Sequence, residues 1–306
     1  MTQSEMQPLV SIGMPVYNGE KLICEALDSL LAQDFKNFEL IISDNASTDR
    51  TAEICKMYAA RDSRIRYYRN ERNIGPVSNF NKVIHLGRGK YFMWAADDDL
   101  YESSYISCMV DSLNNNPLAV LSFCRFDNLY KNRPPFEYNI KWSKVVERDR
   151  FYRLIITCFQ KPWLANACYI YGLIRKDILL KVGGFDTRLE PYNNVGVDLV
   201  VLFRLLCYGK FITVNKILYH RRCNINRNIY LKETFIQKLE KSSVYFLAVS
   251  KLKTLSMWHQ HYSLLRTVVK ETSLPLFQKI IMYISLYISE IIYYIHDVKT
   301  NIMTKQ

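Results

Sequence analysis

The chain has 306 residues, of which 49% are hydrophobic and 23% are charged, and no stretch of it is of low complexity. This composition is typical of a globular protein and excludes the fibrous and intrinsically disordered classes. The net charge of +12 is uneven, because residues 1–110 carry −3 and residues 111–306 carry +15. A positive half attracts nucleic acid, an anionic membrane surface or a phosphorylated substrate, and the charge alone does not choose among them.

The eight cysteines are scattered, without a C-x-x-C pair or a cluster of Cys and His at zinc-binding spacing. Scattered cysteines favour reduced, mostly buried thiols over a disulfide framework. The segment Met1–Pro8 is polar, which is not the pattern of a signal peptide. We therefore expect a cytoplasmic protein.

Hydrophobic periodicity in the first hundred residues predicts strands that alternate with helices. The predicted strands are Leu9–Val16, Phe38–Ser43, Ile65–Tyr68 and Tyr91–Ala96, and the predicted helices between them are Glu20–Gln33, Arg50–Ala60 and Val77–Gly87. Such alternation is typical of an α/β protein with a mostly parallel sheet flanked by helices on both faces.

The second half continues with mixed elements and then changes character. Predicted helices are Ser103–Asn114, Phe151–Phe159, Lys176–Val182 and Val197–Cys207; predicted strands are Leu118–Phe126, Ala167–Ile174 and Phe211–Tyr219; residues 128–150 are expected to form a loop or flap. From about residue 226 the pattern indicates long helices only. The apolar segment Leu276–His296 is long enough to span a bilayer, but Lys279 and Glu290 interrupt it. This favours an interfacial helix, and a helix packed on the domain or in a dimer contact remains an alternative.

The most informative stretch is the apolar run that ends abruptly at Asp97, Asp98 and Asp99. Ligands of open α/β sheets bind just beyond the carboxyl ends of the strands, where this run stops. Adjacent carboxylates repel one another, and hard divalent cations prefer carboxylate oxygens. The triplet is therefore a candidate metal site, and the alternative is a solvated acidic turn or a helix cap.

Five motifs in this order resemble the inverting, nucleotide-sugar-dependent glycosyltransferases of family 2, which have the GT-A fold. They are Val10–Gly19 (VSIGMPVYNG), Ile41–Asp49 (IISDNASTD), Asn73–Gly75 with Asn79–Asn81, Ala96–Asp99 (ADDD), and Gly183–Asp186 (GGFD) with Val197-Asp198. The resemblance covers about residues 9–220. It implies a GT-A catalytic domain over residues 1–225, with a nucleotide-sugar half over 1–110 and an acceptor half over 111–225, followed by a helical C-terminal region over 226–306.

The resemblance also implies roles for the loops that follow the first strands. The loop Pro15, Val16, Tyr17 and Asn18 would lie against the nucleotide base, and Asn73 would belong to the same donor site. Asp44 would hydrogen-bond the base, and the alternative for Asp44 is an Asx-turn that caps the next helix.

For the acidic positions, the resemblance implies that Asp99 ligates Mn²⁺ or Mg²⁺ bound to the diphosphate, with Asp97 and His220 as further candidate ligands. Asp97 and Asp98 would complete the site through the donor nucleotide. The chain departs from the usual Asp-x-Asp-Asp pattern (the DXD motif) because Ala96 replaces the first Asp.

Asp198 matches the general base of the family, although Val197 stands where a Glu is common. An acceptor hydroxyl must lose its proton as it attacks, so a positioned carboxylate suits this role. The alternative for Asp198 is charge stabilisation of a helix N-terminus.

Two further groups of residues follow from the same resemblance. The run His220-Arg221-Arg222 would contact the diphosphate or an acceptor phosphate, unless these are solvated residues at a strand end. Trp163 and Asn166 would line the acceptor pocket, although an aromatic residue before a strand is more often part of the core.

The resulting expectation is an inverting transferase that moves a sugar from a nucleoside-diphosphate sugar, UDP-sugar favoured, to a glycan or lipid-linked glycan acceptor in bacterial surface polysaccharide synthesis. Membrane-surface contact would occur through the C-terminal helices, at the inner face of the membrane, and no nucleic acid is expected as a partner. A catalytically degenerate scaffold is one alternative. A sugar nucleotidyltransferase is another, although its Gly-rich basic loop is missing after the first strand.

Overall fold

The computed structural model describes residues 7–130, 133–137, 143–159, 165–188, 196–223 and 259–303. Its first half contains four strands that alternate with three helices. The strands are β1 (Val10–Val16), β2 (Phe38–Asp44), β3 (Ile65–Arg69) and β4 (Tyr91–Trp94), and the helices are α1 (Ile23–Leu31), α2 (Thr51–Arg61) and α3 (Pro76–Leu86). Every residue of β1, β2 and β4 is buried, as expected for parallel strands covered on both faces.

The second half adds shorter strands and helices in irregular order. They are β5 (Leu100–Tyr101), α4 (Tyr105–Asn114), β6 (Ala119–Tyr130), β7 (Arg133–Glu137), α5 (Ser143–Val146), α6 (Arg150–Cys158), a 3₁₀ helix (Ala165–Tyr171), β8 (Leu173–Arg175), α7 (Lys176–Val182), α8 (Val197–Tyr208) and β9 (Lys210–Cys223). Helix α8 is buried on nearly all sides and therefore forms the centre of this half.

One mixed sheet joins both halves in the order β3-β2-β1-β4-β8-β6-β9-β5, and β7 pairs with β6. Strands β3, β2, β1 and β4 are parallel to one another, so their carboxyl ends share one edge. The short strand β5 pairs with β9 in antiparallel register, with Leu100 opposite His220 and Tyr101 opposite Tyr219. The end of β9 is thereby held next to the acidic triplet that precedes β5.

The part of the C-terminal region that the structure describes, residues 259–303, contains two helices, α9 over residues 259–271 and α10 (Leu276–Met303). The long helices predicted between about residue 226 and residue 258 lie outside the described residues. Helix α10 packs against α6, and the small cavity shared by Leu199, Phe203 and His261 shows that α9 lies against α8. No helix among the described residues is long and apolar enough to cross a membrane.

The expected α/β class, with a mostly parallel sheet, flanking helices and a helical C-terminal region, is confirmed. Two local predictions are wrong. Residues 128–150 contain the end of β6, the strand β7 and the helix α5, because β6 pairs along its length with β9 and so continues beyond Phe126. The predicted strand Ala167–Ile174 is a 3₁₀ helix as far as Tyr171, and pairing with β4 and β6 begins only at Leu173.

A buried ion pair connects β1, β2 and β3 at the core. The Glu39 carboxylate accepts hydrogen bonds from the Ser11 hydroxyl at 2.7 Å, the Arg66 guanidinium at 2.7 Å and the Arg88 backbone N–H at 2.6 Å. Burial opposes ionisation, but these donors together lower the pKa of Glu39 below its ordinary value.

We predict that Glu39→Ala lowers the free energy of unfolding by about 3–5 kcal/mol, because it leaves buried donors and a guanidinium without their acceptor. Urea unfolding monitored by circular dichroism measures this loss. Glu53→Ala, which removes an exposed partner of Arg50, is the control and should change stability little. An equal effect of the two substitutions would contradict a role for the buried ion pair.

Candidate active site

The first two loops at the carboxyl edge of the sheet are joined by hydrogen bonds into one surface. The Asn18 backbone N–H donates to Ser47 Oγ at 3.0 Å, and the Gly19 N–H donates to Thr51 Oγ1 at 2.9 Å. The Glu20 N–H donates to Asp49 Oδ2 at 3.1 Å. The loop after β1 is therefore positioned by the loop after β2.

The residues predicted to contact the nucleotide base lie along this surface. Pro15 and Val16 are buried at the end of β1, whereas the Tyr17 side chain is 48% exposed. Asn18 has a positive φ of 55°, and its Oδ1 accepts from the Thr48 N–H at 2.8 Å. Tyr17 and Asn18 are thus the exposed members of this group, and Tyr17 is the aromatic one, on which a planar ligand could stack.

Asp44 is fully enclosed. Its Oδ1 accepts from the Ser47 N–H at 2.8 Å, and its Oδ2 accepts from the Tyr67 hydroxyl at 2.8 Å and from Arg69 at 3.2 Å. The contact with Ser47 is a local turn, but it does not cap α2, which begins at Thr51 without a side-chain cap. A base could approach Asp44 only by displacing one of these partners, and Arg69, whose side chain is 42% exposed, is the most accessible of them. The base contact stays a prediction.

Asn73 belongs to a group of linked amides beside this edge. Its Oδ1 accepts from Asn45 Nδ2 and from the Gly75 N–H, both at 2.9 Å. Asn45 Oδ1 in turn accepts from Asn70 Nδ2 at 2.9 Å, and Asn70 also donates to Asn79 Oδ1 at 3.2 Å. These contacts fix the loop before α3 against β2.

The acidic triplet lies where this surface meets β9. A Cβ atom added to Gly19 would lie 2.4 Å from Asp97 Oδ2, so the Asp97 carboxylate packs closely against the backbone of the first loop. Asp98 is partly exposed, whereas Asp99 is only 4% exposed. The three carboxylates therefore occupy different environments although they are adjacent in sequence.

Strand β9 holds Asp99 in place. The buried Tyr219 hydroxyl donates to Asp99 Oδ2, and the Arg222 backbone N–H donates to Oδ1 at 2.8 Å. Burial raises the pKa of Asp99 to about 6, and the neighbouring charge of Asp98 contributes in the same direction. The two hydrogen bonds and the charge of Arg221 oppose this rise.

Asp198 lies in the first turn of α8, as predicted, and follows Gly196, whose φ of +74° places it in the left-handed region. The Asp198 Oδ1 accepts from the Leu199 N–H at 3.0 Å. Removal of water around the side chain raises the pKa of Asp198, and the charge of Arg221 acts in the opposite direction. The charge of Arg221 thus lowers the pKa of both Asp99 and Asp198, against the effect of burial.

Each ring nitrogen of His220 forms a hydrogen bond with a carboxylate. Its Nδ1 lies 2.7 Å from Asp127 Oδ1, and its Nε2 lies 3.0 Å from Glu102 Oε1. Within the described ranges, no group of three or more His, Cys, Asp or Glu side chains is arranged to hold a metal by itself. A metal ligand role for His220 would require one of its carboxylate contacts to break.

The two residues predicted to line the acceptor pocket lie outside the described part of the chain. They are Trp163 and the side chain of Asn166.

Two features of the site were missed in the sequence analysis. They are Tyr219 as the hydrogen-bond partner of Asp99, and the charge of Arg221 that acts on both carboxylates. The available signal was that His220-Arg221-Arg222 directly follows Tyr219 at a strand end, but only the pairing of β5 with β9 brings these residues to the triplet.

The model of the family described as Glycosyl transferase family 2 matches residues 11–183, more than half of the chain. The chain belongs to glycosyl transferase family 2. Over 236 residues it is 29% identical to an uncharacterized glycosyltransferase of Rickettsia typhi, an alignment that covers 76% of this chain and 68% of that protein. The family resemblance expected from the sequence is thereby confirmed, and the chain is a glycosyltransferase.

Two solved glycosyltransferase structures share the fold at low sequence identity. S. aureus TarS (residues 1–349) in complex with UDP-GlcNAc has a TM-score of 0.65 at 16% identity, over 91% of this chain and 71% of that one. The mannosyltransferase PcManGT of Pyrobaculum calidifontis, in complex with GDP-Man and Mn²⁺, has a TM-score of 0.58 at 17% identity, over 92% and 70% respectively. Both likenesses confirm the GT-A fold.

We predict that Tyr219→Phe raises the pKa of Asp99 further above about 6, because the lost hydroxyl favours the ionised carboxylate. The ¹³C NMR signal of the Asp99 carboxyl, followed through a pH titration, measures the shift.

Tyr105→Phe is the matched control, since Tyr105 is also fully buried but its hydroxyl donates to the Tyr171 carbonyl at 2.9 Å. Both variants should lose about 1–3 kcal/mol of stability, and only Tyr219→Phe should move the Asp99 pKa. An unchanged Asp99 titration in Tyr219→Phe would show that the hydroxyl does not position this carboxylate.

Proposed function

We propose that the protein is an inverting glycosyltransferase that moves a sugar from a nucleoside-diphosphate sugar, with a UDP-sugar favoured, to a glycan or lipid-linked glycan in bacterial surface polysaccharide synthesis. The observation that carries the proposal is that a member of this family holds Asp99 of the acidic triplet at the carboxyl edge of its sheet, through the Tyr219 hydroxyl and the Arg222 N–H of β9. A transfer site needs one group near the leaving diphosphate and another near the acceptor hydroxyl. We assign the triplet to the first role and Asp198 to the second, and the charge of Arg221 acts on both. Membrane contact through the C-terminal helices is part of the same proposal.

The residues of the triplet fit a hard divalent cation, Mn²⁺ or Mg²⁺. Three carboxylates supply oxygen donors, and the raised pKa of Asp99 records a burial and repulsion cost that a cation would relieve. Asp98 is the more exposed donor, and Asp99 is held in a fixed orientation by Tyr219 and Arg222. We propose that Asp98 and Asp99 hold the cation with Asp97 in support, and His220 is left out because both of its ring nitrogens are engaged. When bound, such a cation stabilises negative charge on a departing diphosphate.

The remaining chemistry belongs to side chains of this chain. Asp198 accepts the proton of the acceptor hydroxyl as the oxygen attacks the anomeric carbon, and its raised pKa makes it a stronger base than an ordinary carboxylate. Arg221 is exposed and lies close enough to both carboxylates to lower their pKa values. Its guanidinium suits a contact with the diphosphate. Tyr17 and the joined loops after β1 and β2 orient the nucleotide.

We predict that Asp198→Asn lowers kcat by about 10²–10⁴-fold while the dissociation constant of the nucleotide sugar stays within about threefold, because only proton removal is lost. Release of nucleoside diphosphate measures turnover, and calorimetric titration measures binding. Asp177→Asn is the control, since Asp177 is an exposed acid in the first turn of α7. An Asp198→Asn enzyme with normal turnover would remove Asp198 from the mechanism.

The donor is identified by thermal unfolding with UDP, GDP and dTDP, each with and without Mn²⁺. A ligand that binds only the folded protein at a hundredfold excess over its dissociation constant stabilises it by about 2.7 kcal/mol. We predict a Mn²⁺-dependent rise in Tm with UDP that Asp98→Asn abolishes. A rise with another nucleotide would reassign the base.

The absence of any rise would favour the alternative of a degenerate scaffold, which Ala96 and Val197 keep open. A sugar nucleotidyltransferase would instead be stabilised by a nucleoside triphosphate.

A further inference from the structure

A cleft of about 640 Å³ lies away from the candidate active site, where α6, α7, the end of α8 and the connection between α9 and α10 meet. This volume is typical of sites for small ligands. Asp198 begins α8, whereas Arg204 and Tyr208, near the other end of the same helix, line the cleft. The rise of an α-helix separates the two places by roughly 9–15 Å.

The lining of the cleft is mainly cationic. Among the described residues, Arg150, Lys181 and Arg204 line the cleft together with one acidic residue, Glu271. Arg204 is paired with Asp186 at 2.7 Å, and the exposed Lys181 lies 3.9 Å from Asp177. In the described lining the cationic side chains therefore outnumber the acidic one, although two of them have carboxylate partners outside the cleft.

Arg150 has a side-chain donor that is not used in a hydrogen bond within the described part of the chain. One of its terminal nitrogens donates to Ser273 Oγ at 3.2 Å, but its Nε is buried and has no hydrogen-bond partner in the described part of the chain. The charge of Arg150 also lowers the pKa of Arg153, to which burial contributes most. Crowded guanidinium groups with an unused donor are a suitable surrounding for a phosphate, which accepts several such hydrogen bonds.

Exposed apolar side chains lie next to the cleft and along the helix that begins beside it. Tyr208 lines the cleft and is 56% exposed, and Leu180, next to Lys181, is 45% exposed. Helix α10 begins three residues after Ser273, and one of its faces is apolar and open. We call this face the apolar stripe; its members, 40–74% exposed, are Leu276, Phe277, Ile280, Ile281, Ile284, Tyr287, Ile288, Ile291 and Ile292.

The opposite face of α10 is accounted for by packing, since Met282 and Leu286 are fully buried. The stripe extends for roughly 24 Å from Leu276 to Ile292. An apolar surface of this extent marks an interaction site more often than an ordinary solvated surface. No described helix could span a bilayer, so contact with lipid would occur along the membrane surface.

We propose that this side of the molecule binds an anionic phospholipid membrane, with a lipid phosphate in the cationic cleft and the apolar stripe among the acyl chains. Two features favour a phospholipid. Its phosphate can accept hydrogen bonds from Arg150 and Lys181, and its acyl chains can contact the apolar stripe, which starts close to Ser273 of the cleft. The inference rests on the membrane contact of the proposed function, to which it adds a site and a lipid class, and it does not need the transfer reaction.

The test is flotation of the full chain with vesicles of phosphatidylcholine alone or of equal parts phosphatidylcholine and phosphatidylglycerol, without nucleotide sugar. We expect binding to the anionic vesicles only. Arg150→Gln and Lys181→Gln should each lower the partition coefficient about fivefold, the effect of one cation at an anionic surface. The double variant Ile284→Ser/Ile288→Ser should lower it by at least roughly tenfold.

The matched control is Lys56→Gln/Met57→Ser on α2, where both side chains are also exposed, and it should bind as the unmodified protein does. Circular dichroism confirms that each variant is folded. Turnover is assayed separately with a water-soluble acceptor. If the unmodified protein does not bind the anionic vesicles but still transfers sugar, this inference is overturned and the proposed reaction stands.

Three results would contradict the proposal. Equal binding to neutral vesicles would remove the role of the cleft. Protection by inorganic phosphate that is lost in Arg150→Gln, without vesicle binding, would identify a soluble phosphate ligand instead. A concentration-dependent dimer that dissociates in Ile284→Ser/Ile288→Ser, again without vesicle binding, would show that the stripe is an interface between two copies of the chain.

Discussion

The site depends on the burial of a carboxylate, Asp99, beside two others. Burial and the charge of Asp98 both oppose its ionisation, and this is why its pKa rises to about 6. Strand β9 opposes the cost with the Tyr219 hydroxyl, the Arg222 N–H and the positive charge of Arg221. The pairing of β5 with β9 is therefore more than an addition at the edge of the sheet, because it brings compensating groups from the far end of the domain to the acidic triplet.

The same strand connects the two halves of the domain. The first half contributes the parallel strands whose carboxyl ends carry the joined loops after β1 and β2. The second half contributes Asp198 on α8, and the charge of Arg221 on β9 acts on both Asp198 and Asp99. His261 of helix α9 packs closely against the backbone that precedes α8, since a Cβ atom at Gly196 would lie 2.6 Å from His261 Nδ1. The C-terminal region thus packs two residues away from the proposed base.

Much of this could be predicted from the sequence, because the first half has strong local signals. Continuous apolar runs, turn residues and the abrupt acidic triplet identify β1, β2, β4 and their carboxyl ends without knowledge of distant contacts. The short strand β5 could not be predicted, because it depends on pairing with β9, about 120 residues away in sequence. Strand β7 pairs with the nearby end of β6, but Pro134 and Pro135 are atypical of a strand and favoured a loop. The 3₁₀ helix before Leu173 has an apolar pattern that also suits a strand. Tyr219 was missed for the same reason as β5, since it is separated from Asp99 by 120 residues. The closed environment of Asp44 also depends on tertiary partners, Tyr67 and Arg69.

The central claim is that Asp198 and the acidic triplet serve a single displacement at one anomeric carbon. The most direct test is the ¹H NMR spectrum of the product made from an α-linked nucleotide sugar and a soluble glycan acceptor. One displacement assisted by a base inverts the anomeric centre, so we predict a β-linked product. An α-linked product would contradict the account, because it would require either two successive displacements or attack from the face of the departing diphosphate.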